Sequence, residues 1–219
     1  MRVSLIGTYH KERGAVTVAA LLAILERVQP EVVFAETPPT HIDAYRDDSH
    51  GTLESIAVAR YAAAHSVDVV PVDLPMPEES FFRDYEEVSR AIERTSPEFR
   101  RLMDLNTERT LLGGFAYLNS DQCIQAWTDI YREELETVEY IGDPRFRDIY
   151  DQVRDTMERR DREMLRNIRE YGAHTARTRG AFLVGAAHRR SLIEKARVAD
   201  ETASSRIEWD LGEFLAGVE

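Results

Sequence analysis

The sequence predicts an α/β fold: a central, largely parallel sheet flanked by helices, with a large helical insertion over about 77–172. Three observations predict it. Apolar runs of strand length alternate with helix-period segments through the first 76 residues, an order that builds parallel sheets through right-handed crossovers. From about 77 the β-branched runs give way to charge-dense helical ones. The strand pattern then returns at 180–185. The chain has 219 residues, which suits one domain with a core of 1–76 and 173–219 and an insertion of 77–172.

The elements follow in order. Residues 2–6 are an apolar run closed by Gly7, the pattern of a buried strand. Over 16–28 the apolar residues Val18, Leu21, Leu22, Leu25 and Val28 recur at helical spacing until Pro30 stops the helix. Residues 31–35 form a second strand that runs into Glu36 and the turn-forming Pro38-Pro39. A helix over 53–65 and a strand over 67–72 come next, leading to Asp73. Inside the insertion the segments 81–92, 99–112 and 146–171 read as helices, with breaks at Gly113-Gly114 and Gly142-Asp143-Pro144. After the strand at 180–185, a helix is expected over 190–198, a last strand over 206–209 and a short terminal helix over 211–218.

Composition narrows the function. The net charge of −12 disfavours nucleic-acid phosphates and anionic membranes as partners. The apolar start is too short for a signal peptide, and no run approaches a membrane span. The single cysteine, Cys123, fits a reducing compartment and reads as a small buried hydrophobe. A cytoplasmic protein is expected, acting on a small molecule or peptide, with a homodimer as a further expectation. Only Lys11 and Lys195 are lysines; the other basic residues are arginines. No dinucleotide fingerprint or P-loop occurs, which argues against nucleotide binding by the usual routes.

Two segments share a form. Val3-Ser4-Leu5-Ile6-Gly7-Thr8-Tyr9-His10-Lys11 and Ala181-Phe182-Leu183-Val184-Gly185-Ala186-Ala187-His188-Arg189 are each an apolar strand, a glycine, two residues, a histidine and a base. If the strands are parallel neighbours, both histidines reach the same edge, where open parallel sheets bind their ligands. Gly7 and Gly185 let the backbone turn and approach a ligand closely. Histidine ligates metals and moves protons near neutral pH. Glu36 ends the second strand and Asp73 the third, so two imidazoles and one or two carboxylates would form a mixed N/O metal site suited to hydrolysis. Buried, Glu36 requires a cation or metal beside it. Tyr9 is a candidate oxyanion donor or packing ring, and His41, in the polar segment after Pro39, a candidate to fold over the site, as is His50. Trp127 and Trp209 read as packing residues.

These residues resemble the TraB/Tiki family of metal-dependent hydrolases, within a wider superfamily of erythromycin-esterase-like and ChaN-like proteins. Gly7-Thr8-Tyr9-His10 is similar to the family's opening Gly-Thr-x-His, and Val33-Phe34-Ala35-Glu36 to its acid-terminated second strand. Arg160-Asp161-Arg162-Glu163-Met164 resembles its Arg-(Asn/Asp)-x-x-Met helix motif, and Val184-Gly185-Ala186-Ala187-His188 its Val-Gly-x-x-His. The sequence departs at Ala187, where a glycine is common, and at Asp73-Leu74-Pro75, where Asp-Arg is expected. The resemblance implies an α/β core with a helical insertion. It implies a divalent ion (Mn, Co, Zn or Fe) held by His10, His188 and Glu36, with Arg160 and Asp161 on the rim, and cleavage of peptide or ester bonds. Glu36, Asp73, Arg160 and Tyr9 are then candidates for catalytic roles. The alternative is a non-catalytic small-ligand or haem-binding protein using the same pocket; a third reading is a metal-free hydrolase with His10 and Glu36 as acid and base.

Overall fold

Five extended runs pair into one sheet. In the computed structural model, which describes residues 1–47, 49–200 and 207–215, the strands are β1 (Arg2–Thr8), β2 (Val32–Ala35), β3 (Asp68–Pro71), β4 (Arg179–Gly185) and β5 (Glu208–Asp210). Their order is β3-β2-β4-β1-β5 and every pairing is parallel. Side chains alternate between two covered faces. Ile6, Val33, Ala181 and Leu183 join one apolar cluster, while Val3, Leu5, Phe34, Phe182 and Val184 join the other. A sheet buried on both sides needs such continuous apolar runs, so the α/β class is the one the sequence predicts.

Helices α1 (Val18–Val28) and α3 (Leu53–Ala64) cover the first face; α7 (Pro144–His174) and α8 (Arg189–Asp200) cover the second. The short α2 (Ile42–Arg46) follows a 3-10 turn at Pro39–His41. Three more helices, α4 (Glu79–Thr95), α5 (Pro97–Leu118) and α6 (Asp121–Ile141), pack with the start of α7 around Val88, Ile92, Ile130, Val138 and Tyr150. Their starts are written in hydroxyl and proline chemistry. The hydroxyls of Thr17, Ser96 and Ser120 accept the amides of Ala20, Phe99 and Cys123, and Pro97 and Pro144 sit in the first turns of α5 and α7. Thr52 and Ser55 form a reciprocal capping box on α3. Among the described residues, no helix is long and apolar enough to cross a membrane.

The break expected at Gly113-Gly114 is present: Gly114 is non-helical (φ 53°, ψ −142°), and the short helical segment beyond it, to Leu118, buries Phe115, Tyr117 and Leu118. Two other expectations need correction. Helix α6 is absent from the sequence reading. Its inner stripe runs Cys123, Trp127, Ile130, Glu134, Val138, and the buried carboxylate in that stripe interrupts the apolar period. The expected terminal helix is, over its described part, a 3-10 turn at Glu213–Leu215, and residues 216–218 lie outside the described residues. The last strand begins at Glu208; Arg206 lies outside the described residues too.

Glu134 carries a consequence for stability. Burial raises its carboxyl pKa to about 7, with the nearby Arg154 charge opposing the shift. A carboxyl whose folded pKa exceeds its unfolded value holds a proton that the unfolded chain has lost. Its stabilising effect is complete below about pH 4.5 and disappears as pH rises through about 7. Urea unfolding should therefore show the wild type losing up to about 3 kcal/mol across that window relative to Glu134→Gln. Parallel pH profiles for the two proteins would refute the assignment.

Candidate active site

The carboxyl ends of four strands meet on one edge. Thr8 of β1 lies opposite Gly185 of β4, so His10 and His188 follow neighbouring strands. The chain leaves β1 towards α1 on one face and leaves β4 towards α8 on the other. Such a switch of faces opens a crevice between two adjacent strand ends. Glu36 follows β2, on the other side of β4, and Asp73 lies just beyond β3 at the sheet margin.

Glu36 is the hub. Its side chain is only 8% exposed. Arg160 Nη2 donates to Oε1 at 2.6 Å, and the Gly185 amide donates to Oε2 at 2.7 Å. His188 Nε2 stands 3.4 Å from Oε1. Arg160 also grips Asp73, through Nε at 3.1 Å and Nη2 at 2.6 Å. His188 Nδ1 meets Asp161 Oδ1 at 2.6 Å. The result is a chain of alternating charge: Asp73, Arg160, Glu36, His188, Asp161. Arg160 and Asp161 are consecutive on α7 and reach opposite sides of Glu36, one directly and one through His188. The expectation that this pair sits on the rim is corrected: Asp161 is 3% exposed and Arg160 is mostly covered. Asn167, two turns further along α7, donates to the Val72 carbonyl at 2.9 Å and fixes the helix against the β3 end.

His10 is oriented from the other side. Its Nδ1 lies 2.9 Å from Glu54 Oε1, which also accepts the Thr8 hydroxyl at 2.5 Å. Glu54 is buried at the first turn of α3, and the Leu53 amide bonds the His10 carbonyl, which ties that helix start to the motif. Both rings thus have Nδ1 engaged by a carboxylate and Nε2 turned to the middle. An ideal Cβ built on Gly185 would lie 3.5 Å from Glu36 Oε2, 3.7 Å from His188 Cδ2 and 3.8 Å from His10 Nε2. Gly185 is therefore the floor on which the three groups converge. Gly7 has a different task. A Cβ there would come within 2.5 Å of Arg189 Cδ, and the Gly7 amide and carbonyl both bond the Asn119 side chain.

The electrostatics follow from crowding four carboxylates around one guanidinium and two imidazoles. Burial pushes the Glu36 carboxyl up, but His188, Arg160, His10 and the Gly185 amide together hold it below the ordinary carboxylate range. Burial lowers the His188 pKa, while Glu36 and Asp161 outweigh this and raise it. The Glu54 hydrogen bond raises His10 to about 9 against the opposing effect of burial. Tyr45, buried beside Glu54 and Glu36, keeps its phenol proton far above neutral pH, chiefly through burial.

The donor chemistry suits a divalent ion. Two ring nitrogens oriented by carboxylates, with an anionic oxygen beside them, form a common second-sphere-supported ligand set. Glu54 Oε2 is buried without a hydrogen-bond partner, as is the hydroxyl of Thr37 in the same cavity. The spacing is looser than the chemistry. Among the described residues no three His, Cys, Asp or Glu side chains stand close enough to hold an ion.

The cavity around these groups has a volume of ≈ 470 Å³. His41 and His50 both line it, with ring centres 6.4 Å apart, under the segment that follows β2. Tyr9 lines an adjoining cavity instead, and its hydroxyl accepts from Arg13 at 3.3 Å. Sequence reasoning missed Glu54, Tyr45 and Asn119. Glu54 in a helix's first turn is indistinguishable from an ordinary dipole-favoured acid; its position two residues after a Thr N-cap gives no hint of the strand end it faces.

In comparison with known proteins, no family model matches the chain significantly, nor does any curated protein or solved structure.

Gly185 makes the convergence testable. Its φ is −51° and the added methyl would make ordinary contacts, so Gly185→Ala should fold with a melting temperature close to that of the wild type. The same methyl fills the space between His10, His188 and Glu36. Ligand binding or activity at this site should fall by at least about tenfold. An active, fully binding Gly185→Ala protein would show that the site lies elsewhere.

Proposed function

We propose that this protein is a metal-assisted hydrolase of peptide or ester bonds, acting in the cytoplasm on a soluble small molecule or peptide and related to the TraB/Tiki family its motifs resemble. The observation that carries this reading is the pair of imidazoles, each anchored through Nδ1 by a buried carboxylate, with Nε2 turned towards Glu36. A purely structural role would not require two neighbouring strand ends to present carboxylate-oriented rings to one cavity across the Gly185 floor. The buried free Cys123 thiol, pushed up to about 11 by burial, accords with a reducing compartment.

His10, His188 and Glu36 are the residues that would hold a divalent ion, and when bound such an ion lowers the pKa of water to near neutral. The remaining roles belong to the chain itself. Asp161 and Glu54 fix the tautomers and directions of the two rings. Arg160 keeps the Glu36 carboxylate ionised and turned inward, and it spends Nε and Nη2 on the two acids. Arg160 lines the cavity, and Nη1, which bonds neither acid, would be its donor to a developing oxyanion. Water adds its hydroxyl to the carbonyl carbon, and its proton passes to the leaving nitrogen or oxygen as that bond breaks.

Protein purified without a histidine tag should contain stoichiometric Mn, Co, Zn or Fe. His10→Ala and His188→Ala should each lose it while far-UV circular dichroism stays unchanged. Hydrolysis of a peptide and ester panel should drop at least about 100-fold in those variants and in Glu36→Gln, and about 10- to 100-fold in Asp161→Asn. Wild-type hydrolysis rates in both histidine variants would sink the proposal; a Soret band on adding haem, with no hydrolysis, would favour the non-catalytic alternative.

A further inference from the structure

The candidate active site has a neighbour. Across His10, Gly185 and Ala187, which line both, lies a second cavity of ≈ 400 Å³. Its walls are mostly carbon: Met103 and Leu118 of α5, Trp127 of α6 and Ala186 beside the second motif. Two buried polar side chains that line it, Asn106 and Thr110, already have partners. Asn106 accepts the Tyr117 hydroxyl at 2.7 Å, and the Thr110 hydroxyl donates to the Asn106 carbonyl at 2.8 Å. An occupant of that depth is therefore met by apolar surface, which favours an apolar body.

The mouth has the opposite character. Lys11 and Arg13 line it, in a chain whose net charge is −12. Glu12, the acid between them, is turned away and accepts the Val18 amide at the start of α1, at 2.8 Å. Among the described residues the Arg13 guanidinium reaches only Tyr9, 3.3 Å from its hydroxyl and 6.0 Å from its ring centre. Among the described residues Lys11 has no carboxylate partner, whereas Lys195, the other lysine, pairs with Glu158 at 2.9 Å. Two cations unmatched by acids beside an apolar cavity select for an anion attached to an apolar body.

We infer that this second cavity is the substrate-selecting lobe of the site, and that it takes an apolar aliphatic or aryl body bearing one anionic group, a carboxylate or a phosphate. The inference rests on the hydrolytic reading of the adjoining cavity: a substrate seated in the apolar lobe reaches past Gly185 to His10 with the bond to be cleaved. Lys11 and Arg13 hold the anion, while Trp127, Leu118 and Met103 hold the body.

Binding can be read without catalysis. Trp127 and Trp209 are the only tryptophans, and Trp209 lies on β5 away from this lobe, so Trp209→Phe leaves one reporter. The probes are 3-phenylpropionate, phenyl phosphate and neutral 3-phenylpropanol, titrated by Trp127 emission in Trp209→Phe and by calorimetry in the wild type. At least one anion should bind about tenfold more tightly than the alcohol. That preference should shrink to threefold or less in Lys11→Gln/Arg13→Gln, and the tighter of the two anions identifies carboxylate or phosphate as the source. Equal binding of all three probes overturns the charge selection. Anion binding that leaves Trp127 emission unchanged overturns the location. Tight anion binding with no hydrolysis of any ester or peptide sinks the hydrolase reading alone. Hydrolysis of acetyl esters without anion preference sinks this inference alone.

Discussion

A carboxylate is buried where the sheet ends, and the surrounding structure is arranged to keep it charged. Glu36 follows a strand whose four residues are all buried, and an isolated ionised carboxyl there would cost many kcal/mol. The chain offsets that cost with three groups from three distant segments: the Arg160 guanidinium, the Gly185 amide and the His188 ring. Each imposes a condition on the fold. The Gly185 amide can reach Glu36 only if β4 enters between β2 and β1, which is the observed strand order. Arg160 can reach only if α7 crosses the carboxyl ends of β2 and β3. That helix is 31 residues long, and the excursion from β3 through α4, α5 and α6 delivers it there.

The same arrangement concentrates strain of charge in one place and leaves stability to the rest. The two faces of the sheet and the packed helices around Ile130 and Val138 are apolar and well buried. The strand ends, by contrast, hold groups that stabilise one another only as a set, so removing one leaves its partners buried and unmatched. Arg189 is a second such commitment. It is 2% exposed, and among the described residues no carboxylate is in contact with its guanidinium. It donates to the carbonyls of Leu5, Asn119 and Leu211, at 2.5, 3.3 and 2.9 Å, and burial lowers its pKa to about 10. By bonding three backbone segments it locks β1, the α5–α6 corner and the chain after β5 to the base of the second histidine motif. Gly7 must lack a side chain for that guanidinium stem to pass.

How much of this was legible in the sequence depends on whether the signal was local. Strands with both faces covered announce themselves as apolar runs, and the repeated glycine-to-histidine spacing marks two strand ends without any structural information. Glu36 and Asp73 were readable because each directly follows such a run. Arg160 and Asp161 were not separable from Arg159 and Arg162 by periodicity; in a helix this charged, facing depends on what lies across the sheet. Glu54 and Asn119 reach the histidine motifs through Thr8, His10 and Gly7, which are 44 to 112 positions away in sequence, and Tyr45 matters only by being buried beside Glu36 and Glu54; nothing in their own neighbourhoods differs from a helix first turn, a short helix or a helix end. Helix α6 was lost for a related reason: Glu134 sits where the pattern calls for a hydrophobe.

The division of labour between core and insertion follows from this contrast. The groups with chemical reactivity come from strand ends and from α7, where one displacement disturbs the whole charged set. The surfaces that would meet the body of a substrate, Met103, Leu118 and Trp127, come from α5 and α6. Those helices touch the reactive edge through few links, chiefly the Asn119 clamp on Gly7. The kink at Gly114 lets Phe115 and Leu118 pack against the core while the earlier turns of α5 lean over the cavity. Side chains on that wall can therefore change in size without moving Glu36, because no hydrogen bond connects Met103 or Trp127 to the Asp73–Arg160–Glu36–His188–Asp161 chain. A fold built this way can hold its reactive geometry rigid and still vary what it accepts, since the two properties are carried by different layers of the molecule.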